Sequence, residues 1–172
     1  PLESVLRGLI QLFDLPMSRN VSGAATQAPL LVGEHRISMS ICYEVVYPEL
    51  VRKSVEQPDL LVTISNDTWF GASIGPWQHL QMARMRALEN GRYMLRATNN
   101  GVTAVINEQG HIVASLPQFE QAVLRAQVPI LAGMTPFARY GQLAVLLLVL
   151  GATAAGLLWP LILPNVSRPV IR

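Results

Sequence analysis

The residue with the greatest chemical potential in this sequence is its single cysteine, Cys42. It follows an apolar stretch predicted to be a strand and precedes a predicted helix. A strand-to-helix turn of this kind exposes a side chain at the carboxyl edge of a sheet, where α/β proteins build their sites. Backbone amides there favour a thiolate and can hold the oxyanion of an attacked carbonyl. Inert packing is the commoner use of a lone cysteine, so position alone leaves both interpretations open.

A thiol nucleophile needs a base, and the sequence offers few. His35 lies at the far end of the predicted strand, roughly 20 Å from Cys42 at extended-chain spacing. His111 falls in a hairpin turn, which leaves His79, in the first turns of a later helix, as the histidine best placed to serve the thiol. A capping or surface role is the alternative for His79. Lys53, the only lysine, is about 15 Å from the cysteine along a helix and is predicted to be solvated.

The predicted elements alternate as in an α/β sheet with mixed strand pairing. Apolar runs and turn residues predict strands at 37–41, 60–64, 93–98, 102–106, 112–116 and 123–128. Helical spacing and Pro near the first turn predict helices at 48–55 and 76–90. This order places the turn after each early strand at one edge of the sheet.

An uncharged apolar segment, residues 143–163, predicts one transmembrane helix. As a helix it rises roughly 31 Å, close to the ~30 Å hydrocarbon core of a bilayer. Its Leu, Val and Ile side chains favour insertion by roughly 4 to 7 kcal/mol. Arg168 and Arg172 follow the segment and only Arg139 closely precedes it, so the positive-inside rule predicts a cytoplasmic C-terminus. A buried core helix is the alternative.

Charge and cysteine content limit the possible partners. Thirteen basic and eleven acidic residues give a net charge of +2, without a basic stripe, so nucleic acid is not an expected partner. One cysteine excludes an internal disulfide. Neither a metal ion nor an organic cofactor is expected.

Several motifs, in order, resemble the apolipoprotein N-acyltransferases, the membrane-bound branch of the nitrilase superfamily. They are Ile41-Cys42-Tyr43-Glu44, Thr63-Ile64-Ser65-Asn66-Asp67-Thr68-Trp69-Phe70-Gly71, Gly75-Pro76-Trp77-Gln78-His79, the run 82–89, Thr98-Asn99-Asn100-Gly101 and Pro136-Phe137-Ala138-Arg139. The match covers essentially the whole chain up to the apolar segment, and that segment favours this branch over soluble amidases.

The resemblance implies an α/β fold, namely the C-terminal half of a stacked αββα sandwich followed by one transmembrane helix. The chain then divides into a partial nitrilase-like (carbon–nitrogen hydrolase) catalytic domain at 1–136, a transmembrane helix with its flanks at 137–164 and a short tail at 165–172. Cys42 matches the nucleophile, Tyr43 and Glu44 match residues that support it, and Trp69 and Phe70 match a substrate-binding loop over the lipid entrance.

The reaction implied is ping-pong acyl transfer. A phospholipid acyl chain moves to the Cys42 thiol as a thioester and then to the α-amine of diacylglyceryl-cysteine on an apolipoprotein. In the family, the catalytic Glu and Lys lie upstream of the segment that resembles residues 1–4. We therefore expect this chain to be a truncated, inactive piece of a bacterial inner-membrane enzyme whose catalytic domain is on the periplasmic or outer face. A membrane-tethered amidase or hydrolase and a non-catalytic membrane-anchored binding domain are the alternatives.

Overall fold

The computed structural model describes residues 23–24 and 27–162. Within that part of the chain, six strands form one sheet in the order β1 to β6. The strands are β1 (Leu30–Val32), β2 (His35–Ile41), β3 (Leu60–Asn66), β4 (Met94–Asn99), β5 (Ala104–Ile106) and β6 (Ile112–Ser115). The helices are α1 (Pro48–Ser54), α2 (Gly75–Asn90), α3 (Pro136–Tyr140) and α4 (Leu143–Ile162), with short 3-10 helices at Cys42–Val46 and Thr68–Phe70.

Strand pairing explains why the helices lie on one face of the sheet. Strands β2, β3 and β4 are parallel neighbours, whereas β1, β5 and β6 are added antiparallel at the two sides. The chain moves in one direction across the parallel strands. Since crossover connections are right-handed, helices α1 and α2 must both pack on the same face. The mixed sheet predicted from the sequence is confirmed.

The hydrophobic core fills the space between that face and the two helices. Its buried members from the sheet include Leu61, Met94 and Ile106, and they pack with Val51 of α1 and Leu80 of α2. Full burial of side chains of this size contributes roughly 1.5–3 kcal/mol each. This layer fixes the position of α2, and therefore of His79, against the ends of the parallel strands.

The opposite face of the sheet is apolar and is open near the carboxyl ends of β2 and β3. Met39 and Ile41 of β2 lie in register beside Val62 and Ile64 of β3. Ile41 is 59% exposed and Ile64 is 44% exposed. Side chains of this kind in a parallel sheet are normally covered on both faces. On this face Ile37 and Leu60, at the start of the two strands, are buried, and the uncovered part lies at the carboxyl ends.

The structure corrects two details of the sequence prediction. The strand predicted at 123–128 is wrong, because this segment pairs with no strand among the described residues and Val123 is 81% exposed. Strand β1 was not predicted, since three exposed apolar residues show no alternation between buried and solvated positions. Residues 1–22 and 25–26 of the predicted catalytic domain and the whole of the predicted tail at 165–172 lie outside the described residues.

The predicted membrane segment is helical from Leu143, where α4 begins. Its large side chains from Leu146 to Leu150 are all more than half exposed. Over the part of the chain that the structure describes, no helix is both long enough and apolar enough to cross a membrane. The transmembrane assignment therefore stays a prediction.

A polar clamp joins α1 to α3 and to Gln142, the residue just before α4. Arg52 donates from Nη1 to the carbonyl oxygen of Ala138 at 3.3 Å, and the Gln142 N–H donates to Glu49 Oε1 at 3.2 Å. Glu49 also accepts from Arg52 Nη2 at 2.7 Å and contacts Lys53 at 3.2 Å. The hydrogen bond from Arg52 is the main cause that lowers the pKa of Glu49 from 4.5 to about 2.

Replacement of Glu49 by Gln is expected to reduce the free energy of unfolding at neutral pH. Because the folded-state pKa is depressed, the carboxylate stabilises the protein above about pH 5 and loses that effect as the pH falls towards about 2. Urea unfolding of both proteins between about pH 7 and pH 3 should show a difference that shrinks with acidity. Glu56→Gln, at an exposed position, is the control. A Glu49→Gln difference that is the same at every pH would contradict the assignment.

Candidate active site

Cys42 lies at a sharp turn where β2 ends and a 3-10 helix begins. We call residues 41–44 the cysteine elbow. Cys42 is half-buried and has a φ of 52°, a left-handed conformation that non-glycine residues adopt at a cost of roughly 1–2 kcal/mol. Glu44 helps to hold the turn, because its Oε2 accepts from the Ile41 N–H at 2.7 Å. Strain of this kind persists only where the surroundings enforce it.

Those surroundings are a buried polar cluster centred on Asp67. We call Ser65, Asp67, His79 and Arg96 the Asp67 cluster. Asp67 is completely buried just beyond the end of β3, and its carboxylate accepts from Ser65 Oγ at 2.6 Å and from Arg96 Nη2 at 2.6 Å. Its Oδ1 also lies 3.0 Å from His79 Nδ1. Three donors therefore satisfy one buried carboxylate, which makes its burial tolerable.

His79 connects the Asp67 cluster to the main chain of Cys42. Its Nδ1 faces Asp67, and its Nε2 lies 3.2 Å from the carbonyl oxygen of Cys42. Both ring nitrogens of His79 therefore face an oxygen atom, and either nitrogen donates a hydrogen bond to that oxygen when it carries a hydrogen. The sequence prediction that His79 is the histidine near Cys42 agrees with this placement, but the ring contacts the carbonyl group and not the thiol. Asp67 is the orienting carboxylate that the sequence alone did not identify.

Ser65 is the residue of the cluster that contacts the sulfur. Its Oγ lies 3.4 Å from Cys42 Sγ. It reaches the sulfur because Ser40 of β2, Thr63 of β3 and Arg96 of β4 are in register. Ser65, two residues beyond Thr63, shares their face of the sheet, at the edge where the cysteine elbow begins.

Arg96 supplies the buried positive charge in the cluster. Its side chain is fully buried in the middle of β4 and forms an ion pair with Asp67. Burial lowers the pKa of Arg96 from its ordinary value, and the Asp67 carboxylate opposes that shift. Removal of one partner of such a pair leaves an uncompensated charge, at a cost of about 3–5 kcal/mol. Asp67 and Arg96 therefore depend on each other to be buried without a large cost in free energy.

The remaining residues predicted for the site lie around the elbow. Tyr43 is 55% exposed, and its ring is 6.5 Å from that of His79. Phe70 packs edge-on against His79 at 6.4 Å, whereas Trp69 is 88% exposed. The aromatic pair thus divides, with one ring folded onto the domain and the other in solvent. Lys53 is 61% exposed and pairs with Glu49, as expected for a residue remote from the thiol.

Three members of the site were not predicted from the sequence: Ser65, Asp67 and Arg96. A usable signal was present, because Arg96 occupies an inward position of a predicted strand and a buried arginine requires a carboxylate. Asp67, after the neighbouring strand, was the natural candidate. What the sequence could not supply was the register that aligns β3 with β4.

Comparison with known proteins finds a matching family model and several similar sequences. The family model described as carbon-nitrogen hydrolase matches residues 10–135. An apolipoprotein N-acyltransferase of Azotobacter vinelandii is 57% identical over 153 residues, which cover 86% of this chain and 30% of that protein. One of Pseudomonas syringae pv. tomato is 50% identical over 172 residues, which cover 99% of this chain and 33% of that protein. The chain thus spans about a third of the length of these curated relatives.

A solved structure supports the fold. The crystal structure of a carbon-nitrogen hydrolase from Helicobacter pylori G27 matches with a TM-score of 0.51 at 14% sequence identity. The match covers 60% of this chain and 44% of the other chain. At that identity, the likeness concerns the arrangement of strands and helices and not the chemistry.

Replacement of Gly101 by Ala is expected to disturb the Asp67 cluster. An added Cβ would lie 2.8 Å from the Cβ of Asp67 and would overlap its carboxylate. We expect a loss of about 1–3 kcal/mol in the free energy of unfolding, measured with urea, because overpacking forces the buried groups to shift. Gly151→Ala, where an added Cβ meets nothing within 4 Å, is the control and should not destabilise the protein. Equal stability of the Gly101→Ala variant and the wild type would show that Asp67 is not tightly held.

Proposed function

The chain belongs to the carbon–nitrogen hydrolase family, and from this premise we propose that it carries the nucleophilic cysteine of an apolipoprotein N-acyltransferase. The main support for the proposal is the position of Cys42, which is strained and half-buried at the carboxyl edge of the parallel strands. The buried Asp67 cluster contacts its carbonyl oxygen through His79. The names of the relatives supply the substrate class. The acyl donor is then a phospholipid and the acceptor is the α-amine of diacylglyceryl-cysteine on an apolipoprotein.

The first half-reaction forms a thioester. The Cys42 sulfur attacks the ester carbonyl, the C–O bond breaks, and the lysophospholipid alcohol leaves with a proton. A base must take the thiol proton first, and Lys53 is unsuitable because it is exposed and paired with Glu49. We assign this role to the upstream Glu and Lys implied by the family resemblance. This chain would then supply the nucleophile and its support, but not the base.

The second half-reaction returns the sulfur to its starting state. The neutral α-amine of the acceptor attacks the thioester carbonyl, the C–S bond breaks, and the amine proton leaves to a base. Water would give free fatty acid instead. Trp69 and Phe70 are proposed to contact the lipid, since an exposed indole and a neighbouring ring suit the boundary between water and acyl chains. Tyr43 and Glu44 are proposed to support the nucleophile through the cysteine elbow.

The open apolar face of the sheet supports the view that this chain acts as part of a larger catalytic domain. Ile41 and Ile64 are large side chains that a stable protein would cover. A second sheet stacked on this face would complete the αββα sandwich and bring further residues towards Cys42. We propose that residues 1–136 form one half of that sandwich, that 137–164 form the membrane segment and that 165–172 form the tail.

The test of the function is a transfer assay on the gene product at its natural length, in membranes. Labelled phospholipid and a diacylglyceryl-cysteine peptide are supplied, and N-acylated peptide and free fatty acid are both quantified. We expect N-acylated peptide as the main product and a loss of at least about 10³-fold in Cys42→Ala, because no other group takes the acyl chain. Lys53→Ala, remote from the thiol, should retain activity. Free fatty acid as the main product would favour a hydrolase, and full activity in Cys42→Ala would exclude the proposed nucleophile.

We also propose that α4 is in contact with lipid at the bacterial inner membrane, with the catalytic domain on the periplasmic or outer face. The support is the row of exposed apolar side chains from Leu146 to Leu150 and the uncharged sequence around it. A water-exposed surface of this kind is unfavourable, whereas acyl chains would cover it at no cost. The structure describes the side chains of α4 as far as Trp159, and the rest of the predicted span rests on sequence.

An insertion assay tests this segment. Residues 139–168 are placed in a host membrane protein between two glycosylation sites, so that the pattern of glycosylation reports insertion. We expect efficient insertion of the natural segment and its loss when Leu150 and Leu157 are both replaced by Arg. Each change costs about 3 to 4 kcal/mol near the helix centre, which together offset the favourable apolar term. Replacement of both by Ile is the control. Failure of the natural segment to insert would remove the transmembrane assignment.

A further inference from the structure

We propose that Ser65 is a further catalytic residue for the chemistry of Cys42, and that Asp67 is the positioning residue that directs its hydroxyl group. The proposal rests on the proposed function, in which the Cys42 sulfur is the nucleophile. Ser65 Oγ lies between two groups, 2.6 Å from Asp67 Oδ1 and 3.4 Å from Cys42 Sγ. It is the residue of the Asp67 cluster whose side chain contacts the reacting atom.

The single hydroxyl hydrogen of Ser65 decides the resting arrangement. It cannot serve the carboxylate and the sulfur together, and the charged, closer oxygen of Asp67 is the stronger acceptor. With the hydrogen directed to Asp67, a lone pair of Ser65 Oγ faces Cys42 and accepts the thiol hydrogen. The result is a chain of two hydrogen bonds, from Sγ–H to Oγ and from Oγ–H to the carboxylate. This chain fixes the direction of the thiol hydrogen before reaction.

The arrangement changes when the sulfur becomes a thiolate. Ser65 then faces two anions, and its hydrogen can turn towards the sulfur. Asp67 tolerates this loss because Arg96 still donates to its Oδ2 at 2.6 Å and His79 Nδ1 remains 3.0 Å from its Oδ1. Rotation about one bond therefore provides a hydrogen bond to the thiolate without movement of the main chain. The same donor is present when the thioester is cleaved and the thiolate leaves.

Asp67 controls both ends of Cys42 through one oxygen atom. Oδ1 contacts Ser65, which reaches the sulfur, and it also contacts His79, which reaches the carbonyl oxygen of Cys42 at 3.2 Å. Contacts that lead to the same buried carboxylate thus position both the side chain and the main chain of Cys42. A buried ion pair contributes little to stability by itself, and this shared control gives the Asp67–Arg96 pair a use in positioning.

The test measures the reactivity of the Cys42 thiol directly, in the gene product at its natural length in detergent micelles. The rate of alkylation of Cys42 by iodoacetamide is followed by mass spectrometry of the peptide that contains it. In Ser65→Ala we expect a rate about 10- to 100-fold lower near neutral pH, the effect of one hydrogen bond to a charged group. The deficit should shrink as the pH is raised, because alkali deprotonates a thiol without help from a donor.

The control and the matched pair isolate the hydroxyl group. Thr63 is buried on the same strand and face as Ser65, and its hydroxyl has no hydrogen-bond partner among the described residues. Thr63→Val should therefore alkylate at the wild-type rate. Ser65→Thr and Ser65→Val add the same bulk but differ in the hydroxyl group. If Ser65→Ala fails to fold, the Thr to Val ratio of rates near neutral pH gives the answer, and we expect it to exceed about 10.

Two results would overturn the proposal. One is an alkylation rate in Ser65→Ala, or a Thr to Val ratio, that equals the reference at every pH. The other is a deficit of the same size at every pH, which indicates a displaced thiol and not a lost donor. Failure of the proposed function is separate, because it appears as full transfer activity in Cys42→Ala, whereas the alkylation rates remain measurable whatever reaction the protein catalyses.

Discussion

The organisation of the site depends on one buried carboxylate. Asp67 is fully buried, and Ser65, His79 and Arg96 surround its carboxylate with donors, which makes its burial tolerable. Each of these contacts also fixes a residue that has another task. The hydroxyl group meets the sulfur of Cys42, the imidazole meets its carbonyl oxygen, and the guanidinium balances the charge within the sheet. Without the Asp67 carboxylate, Ser65, His79 and Arg96 would all lose this partner. The strained turn at Cys42 would then lose the contacts that hold it.

The sheet determines where this carboxylate can act. Three parallel strands, connected by right-handed crossovers, end at the same edge and present Cys42, Asp67 and Asn99 there. The helices occupy one face, so the polar cluster is enclosed between the strands and α2. The other face leaves Ile41 and Ile64 exposed near the carboxyl ends of the strands. One layer therefore builds the support of Cys42, the proposed nucleophile, and the open part of the other face is where the rest of the proposed catalytic domain would add its residues.

Much of the fold could be predicted from the sequence, because its signals are local. Apolar runs, the turn at 99–101 and Pro at the helix starts placed β2 to β6 and α1 and α2 within a few residues. The turn at the cysteine elbow was predicted for the same reason, since it needs only a strand followed by a helix. Strand β1 was not predicted, and a strand was wrongly predicted at 123–128. Both errors concern the edge of the sheet, where pairing depends on which neighbouring strand is available. The Asp67 cluster depends on register between strands, which no local pattern records.

Cys42 is proposed to accept the acyl group, and this role can be tested by trapping the intermediate. The gene product at its natural length is incubated with labelled phospholipid in the absence of acceptor, and its peptides are analysed by mass spectrometry. We expect an acyl thioester on the Cys42 peptide. Hydroxylamine should remove it, and the Cys42→Ala variant should lack it. The proposed role of Cys42 would be wrong if acyl chains reached an added acceptor without any adduct on Cys42, or with the adduct on another residue.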